Sequence, residues 1–241
     1  MHKVLATSLM FQAFMSSDFW GKQIFIALFI LSFCTWALLV YKLFVLSEVR
    51  RLSLDFRQVF DQKKEQFFSL EQYLSKIPSK IPHVFLEIYQ VLRLRSLDLL
   101  KKNQVLLGGE EAYLSVSDMD SLSLYVQSVI ACQKKELEKF LFFLSTVVSL
   151  APFLGLLGTV WGILLTFGSL QARVTSASDT ALTGLSMALA TTVLGLVVAI
   201  PALIAYNYFK QSVRDMEVEM DEMATKMLAK LELLYRRVDF N

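Results

Sequence analysis

Two stretches of this 241-residue chain carry no charged side chain: Phe140 to Ala172, thirty-three residues, and Thr180 to Phe209, thirty residues, with seven residues between them. About 20 apolar residues cross the hydrocarbon core of a bilayer, where the backbone must satisfy its own hydrogen bonds and so adopts a helix. The pair predicts a transmembrane hairpin. A plain anchor would be uniformly Leu and Ile, whereas GLLGTVWGI (Gly155 to Ile163) and ALATTVLGLVVAIPALIAYNYF (Ala188 to Phe209) are rich in small and hydroxylated residues. The hairpin is therefore an assembly surface and a candidate pore lining.

A third span runs from Gln23 to Tyr41, nineteen uncharged residues flanked by Trp20 and Lys22 on one side and Tyr41 and Lys42 on the other. Those are the anchors expected at the two interfaces. Asp18 follows the first basic residue and no small-residue cleavage pattern closes the apolar run, so the segment reads as a permanent helix and not a cleaved signal. Hydrophobic residues make up 55% of the chain, yet 24 basic and 22 acidic residues must lie outside the bilayer, so part of the protein is bathed in water. A net charge of +2, with no basic run interleaved with aromatics, excludes nucleic acid as a partner. Cys34 and Cys132 lack metal-ligand spacing and read as packing residues.

Counting Lys and Arg near the span ends fixes the orientation. Lys42, Arg50, Arg51, Arg57, Lys134, Lys135, Lys139, Lys210, Arg214, Lys226 and Lys230 fall on one side, and Lys3, Lys22 and Arg173 on the other. By the positive-inside rule the former side is cytoplasmic, so the N-terminus is periplasmic and the C-terminus cytoplasmic. The water-exposed part reads as helical. Val49, Leu52, Phe56, Val59 and Phe60 recur at helical spacing, Pro78 and Pro82 interrupt, and a second periodic stretch from Val84 to Leu107 ends at Gly108-Gly109. A further helix starts near Asp118 or Asp120 and meets no Gly or Pro before Pro152, which predicts one continuous helix into the second span. In the tail, Phe209, Val213, Met216, Met220, Met223, Met227, Leu231 and Leu234 form one helical face, read as a stripe packing on the 118–138 helix.

The expected fold is an all-α integral membrane protein with three transmembrane helices, the second and third extended into a cytoplasmic helical bundle. Its expected divisions are a periplasmic or interfacial segment (1–22), membrane helix one (23–46), a cytoplasmic helical domain (47–138), membrane helix two (139–170), a periplasmic turn (171–179), membrane helix three (180–209) and a cytoplasmic helix (210–241).

No Asp, Glu, Lys, Arg or His lies within these three uncharged runs. The chain offers no phosphate loop, no His–carboxylate cluster and no activated nucleophile, so neither an enzyme nor a cofactor or metal is expected. His2 and His83 are isolated, and His83 beside Pro82 reads as a surface residue. What the spans hold is hydroxyls. Counted eleven residues from Leu170 and from Ala181, Thr159 and Thr192 both fall roughly 16 Å below the outer surface, level with one another. Pro152 and Pro201, eighteen and twenty residues from the same ends, each free a backbone carbonyl. A membrane threonine can equally bond back to its own helix. Small-xxx-small ridges surround both: Ala151, Gly155 and Thr159, then Gly158 and Gly162, on the second span; Gly184, Ala188 and Thr192, then Gly195 and Ala199, on the third. Such ridges let helix backbones approach closely.

APFLGLLGTVWGILLTF (Ala151 to Phe167) and LATTVLGLVVAIPALIAYN (Leu189 to Asn207) resemble the second and third membrane helices of the MotA/TolQ/ExbB family, subunits of ion-driven inner-membrane motors, and CTWALLVYK (Cys34 to Lys42) resembles the end of its first. The resemblance implies an oligomer, typically a pentamer, around the single-span helices of a TolR- or ExbD-like partner dimer. A membrane Asp on the partner would then exchange ions beside the channel threonines, and a TolA- or TonB-like envelope-spanning protein would receive the work. On that match Thr159 and Thr192 are lining hydroxyls, Pro152 and Pro201 shape the helices, and the chain needs no acid of its own.

One position departs from the pattern. The TolQ/ExbB branch usually carries a Glu five residues before the third-helix threonine, where this chain has Met187. The MotA-like branch accepts an apolar residue there. Three spans instead of four argue against a flagellar stator, and the short segment before the first span is more similar to TolQ than to the longer forms of ExbB. The expectation is thus a TolQ-like proton-channel subunit, with ExbB-like service to outer-membrane uptake and a passive membrane scaffold as alternatives.

Overall fold

The computed structural model describes residues 11, 13–15, 17–62, 83–106, 113–171 and 177–235. Among the described residues, five long helices follow one another: α1 (Phe19–Gln62), α2 (Val84–Leu106), α3 (Val116–Leu137), α4 (Leu141–Gln171) and α5 (Ala177–Tyr235). Three of them, α1, α4 and α5, contain segments long and apolar enough to cross a membrane. The fold is therefore all-helical with three membrane-spanning helices, as the uncharged runs require. Pro78, Pro82, Gly108-Gly109, His2 and the centre of the turn between the second and third spans lie outside the described residues.

By internal contacts the chain divides into two compact units. One comprises Met1–Tyr41 and Phe140–Lys210, the other Lys42–Lys139 and Gln211–Asn241. In the first, the opening part of α1 lays Ile24, Phe25 and Leu28 against Val147 and Ala151 of α4 and Met187, Leu194, Val198 and Ala202 of α5. Ala13 joins this cluster, and the Phe14 ring meets Phe25 edge-on at 5.8 Å, so the segment before α1 doubles back along it. The opposite faces of these helices show Phe33, Trp36, Phe153, Leu164, Leu189 and Ile204 to the surroundings, the apolar exterior that lipid or neighbouring subunits require.

In the second unit, four helical segments share a core. Phe56 of α1 touches Phe85 and Tyr89 of α2, and α2 and α3 pack antiparallel, with Arg95 stacked over the Tyr125 ring at 4.7 Å. Met216, Met220, Met223 and Met227 of α5 are each at most 1% exposed. The methionine stripe is thus core, flanked by Lys134–Glu217 at 2.9 Å to α3 and Arg57–Glu222 at 3.1 Å to α1. Leu234 lies beyond it, exposed. Helix α3 begins at a capping box: Ser115 receives the Asp118 N–H, and the Asp118 carboxylate receives the Ser115 N–H. This Ser115 cap places the helix start just ahead of Asp118.

Three expectations fail here. The helix from 118 into the second span is not continuous: α3 stops at Leu137, and Phe140 adopts a left-handed φ of 69° before α4 begins. No Gly or Pro marks this stop, and an aromatic residue in that conformation costs about 1–2 kcal/mol. Local bonds offset the cost. The buried Lys42 donates its Nζ to the Leu137 carbonyl at 2.5 Å, an orphan acceptor at the end of α3, and Glu138 N–H returns to the Lys134 carbonyl at 2.8 Å. The Tyr41 ring meets Phe140 edge-on at 6.2 Å.

His83 is the second. It is 5% exposed, wedged against the Phe56 ring, and its Nδ1 accepts the Leu86 N–H at 3.3 Å, so it caps α2. Cys132, similarly, is exposed and not a packing residue, while Cys34 is half-buried. Burial pushes the His83 imidazole below its ordinary value, against smaller opposing effects from its own backbone and Asp55. The neutral form alone can accept the Leu86 proton. The unfolded chain therefore binds this proton more readily than the folded one, and stability falls as pH drops below the ordinary histidine range. His83→Asn keeps a capping side chain without the titration. We expect the loss of melting temperature between about pH 7.5 and about pH 5.5 to shrink in this variant. Equal losses in both proteins would refute the assignment.

Candidate functional site

Helices α4 and α5 meet along their glycines. A methyl group on Gly184 would stand 2.7 Å from the Gly162 carbonyl oxygen, one on Gly195 2.7 Å from the Ala151 carbonyl oxygen, and one on Gly155 3.1 Å from the Thr191 carbonyl oxygen. One on Gly162 would run into the Gly184 carbonyl and Ala188, and one on Gly158 into the Thr191 side chain. All five expected glycines, with Ala188, thus lie where backbone meets backbone or a fully buried hydroxyl. Gly168 has open space around it. The ridges read from sequence are the contact within the hairpin.

These contacts also set the register. Gly155 faces Thr191 and Thr192, and Gly162 faces Gly184 and Ala188. Thr159 consequently lies opposite the neighbourhood of Ala188, about one helical turn, or ~6 Å, from the level of Thr192. The level pairing expected from span ends does not hold, because it took Leu170 and Ala181 as equivalent ends.

Each threonine has a distinct set of bonds. Thr159 donates to the Leu156 carbonyl of its own helix at 2.6 Å. Thr192 divides its proton between Ala188 of its own helix and Gly155 across the hairpin, both at 3.3 Å. Thr166 makes a second crossing, to Ala181 at 3.2 Å. Thr191, beside Thr192, is fully buried and bonded to Met187 and Ala188 at 3.0 Å each, the packing role that a membrane hydroxyl can also fill. Thr159 and Thr192 remain half-buried, so their hydroxyls are within reach of a further group. Pro152 and Pro201 stand inside α4 and α5 without ending either helix.

Met187 points elsewhere. It is 1% exposed and lies over Gly21 of α1, its Sδ 2.5 Å from where a methyl on that glycine would stand. Five residues is about 140° around a helix, so Met187 and Thr192 occupy different faces. Against the same glycine stands a carboxylate absent from the expected site. Asp18 caps α1 by accepting the Gly21 N–H at 3.0 Å, and its other oxygen accepts the Trp161 indole N–H of α4 at 2.9 Å. The sequence places Asp18 five residues before the first uncharged run, and the only hint of its role is an Asp three residues before a glycine at a helix start.

The description "MotA/TolQ/ExbB proton channel family" matches residues 100–222, slightly more than half of the chain and both uncharged runs of the transmembrane hairpin. The chain belongs to this family. Its similarity to ExbB, a biopolymer transport protein of Aquifex aeolicus, is 41% identity over 107 residues, 44% of this chain and 70% of that one. To TolQ of the Tol-Pal system of Pseudomonas aeruginosa it is 41% identical over 91 residues, 38% of this chain and 39% of that one. To ExbB of Salmonella typhimurium it is 37% identical over 100 residues, with shares of 41% and 39%. The matched part is thus well under half the length of the latter two. Members of the MotA/TolQ/ExbB family are proton channels and not catalysts, and with three spanning helices the chain is a multi-pass membrane protein.

Proposed function

We propose that the protein is a TolQ-like subunit of an inner-membrane motor, converting proton-motive force into work on an envelope-spanning partner. The observation that carries this reading is the pair Thr159 and Thr192. They are half-buried hydroxyls on a hairpin closed by backbone contacts, within two spans that hold no ionisable side chain. Such a surface can hand a proton to and from a carboxyl but cannot carry one itself. The acid comes from a TolR- or ExbD-like single-span partner dimer enclosed by a homo-oligomer, a pentamer on the family pattern. A hydroxyl contributes about 1 kcal/mol to holding the partner's carboxyl, which allows release as readily as binding. The distribution of basic residues supports a periplasmic N-terminus and a cytoplasmic C-terminus. An ExbB-like role is favoured by the 70% coverage of the Aquifex aeolicus protein. Restoration of envelope integrity, as against restoration of energised uptake, in strains lacking the respective subunit separates the two.

The direct test is proton flux into sealed vesicles. This subunit alone should pass essentially none, and flux should appear when the single-span partner is co-inserted and vanish when the partner's membrane Asp becomes Asn. Equal flux with and without the partner would end the shared-site mechanism. Native mass spectrometry of the complex should show a closed ring with a partner dimer, and a stable monomer in nanodiscs would count against assembly.

A further inference from the structure

We propose that Asp18 is a positioning residue of the ion path: its carboxylate, through Trp161, fixes the turn of α4 that carries Thr159. This rests on the functional reading above. The turn from Gly158 to Gly162 is held on one side by α5, whose Thr191 side chain and Ala188 methyl lie against its glycines. Directional bonds add to that hold. Those across the hairpin, from Thr166 at 3.2 Å and Thr192 at 3.3 Å, are long and run between neutral groups. The Asp18–Trp161 bond is shorter at 2.9 Å, involves a carboxylate, and comes from the other side, from α1. Bonds of that type are about twice as strong as neutral ones. The carboxylate is itself oriented, because its second oxygen accepts the Gly21 N–H while Trp20 stands edge-on to Trp161 at 6.1 Å.

Facing Asp18, α4 brings the Trp161 N–H and no titratable group, α5 brings the Met187 thioether, and α1 brings Lys22 one turn along. The side chain of Asp179 lies outside the described residues.

The test uses the full chain in nanodiscs with nitrogen-15-labelled tryptophan. Indole resonances are assigned by single Phe replacement of Trp20, Trp36 and Trp161. The Trp161 resonance should be displaced in Asp18→Asn, while Trp36 stays fixed. In vesicles with the partner, Asp18→Asn and Trp161→Phe should each lower the flux, and to a similar extent. Trp161→Phe leaves the carboxylate in place, so it stands as the second variant if Asp18→Asn assembles poorly. A Trp161 resonance indifferent to Asp18→Asn overturns the bond. A displaced resonance with unchanged flux in both variants overturns the positioning role. Absence of flux from the parent protein with its partner, the resonance behaving as expected, overturns the functional reading and the role with it while leaving the bond standing.

Discussion

Replacing Thr159 or Thr192 by Val is expected to abolish partner-dependent proton flux while leaving expression and ring assembly near normal. Valine keeps the branched shape, so the loss is confined to the hydroxyl and, for Thr192, its divided bond to Gly155 and Ala188. That bond accounts for about 1 kcal/mol of stability, too little to unfold the hairpin. A proton path interrupted at one hydroxyl is a different matter, because a buried carboxyl facing an apolar methyl has nowhere to pass its proton. Thr191→Val is the internal control. Its hydroxyl is fully buried and engaged within its own helix, so that variant should retain flux and lose only stability. Retained flux in both Thr159→Val and Thr192→Val would return these residues to packing.

The largest structural effect is expected at Gly162. A methyl there would overlap the Gly184 carbonyl and the Ala188 side chain, and backbone atoms of a packed helix cannot step aside as a flexible side chain can. Overpacking typically costs about 1–3 kcal/mol for added methylene groups. Gly162→Val should exceed that range, because a β-branched side chain has no rotamer that avoids the facing backbone. The expected outcome is loss of the assembled complex in mild detergent and a collapse of accumulated protein. Gly168→Ala adds the same first carbon into open space and should be silent in both measurements. Gly21→Ala should fall between, since the atom it meets is the terminal thioether of Met187, which can swing. An intact complex carrying Gly162→Val would show that the two helices are not pressed together at this point.

The spans were legible in the sequence because a bilayer imposes one requirement, length without charge, and Phe140 to Ala172 and Thr180 to Phe209 meet it. The glycine ridges were legible for a similar reason: in lipid, small residues at a spacing of four are the means by which backbones approach. The methionine stripe of α5 was legible through its period. What escaped was decided by contacts between residues distant in the chain. The stop at Leu137 has no local breaker and depends on Lys42, ninety-five positions earlier, taking the last carbonyl. Burial of His83 follows from Phe56, and the Asp18 carboxylate finds its indole 143 positions away. The one-turn offset of the two threonines follows from which glycine faces which carbonyl, and charge-free boundaries carry no information about that register.

The glycine-lined hairpin has a thermodynamic consequence for how it opens. A contact built from glycines, alanine and carbonyls freezes almost no side-chain rotamers when it forms, since Gly and Ala have none to lose. Nor does it offer a row of long side chains to slip one at a time, because only the short side chains of Ala188, Thr166, Thr191 and Thr192 reach across it. Separation of α4 from α5 is then all or nothing. In hydrogen exchange this predicts a single cooperative opening shared by the amides of Ala151 to Gly162 and Gly184 to Gly195, in place of the graded protection that a leucine-filled seam would give.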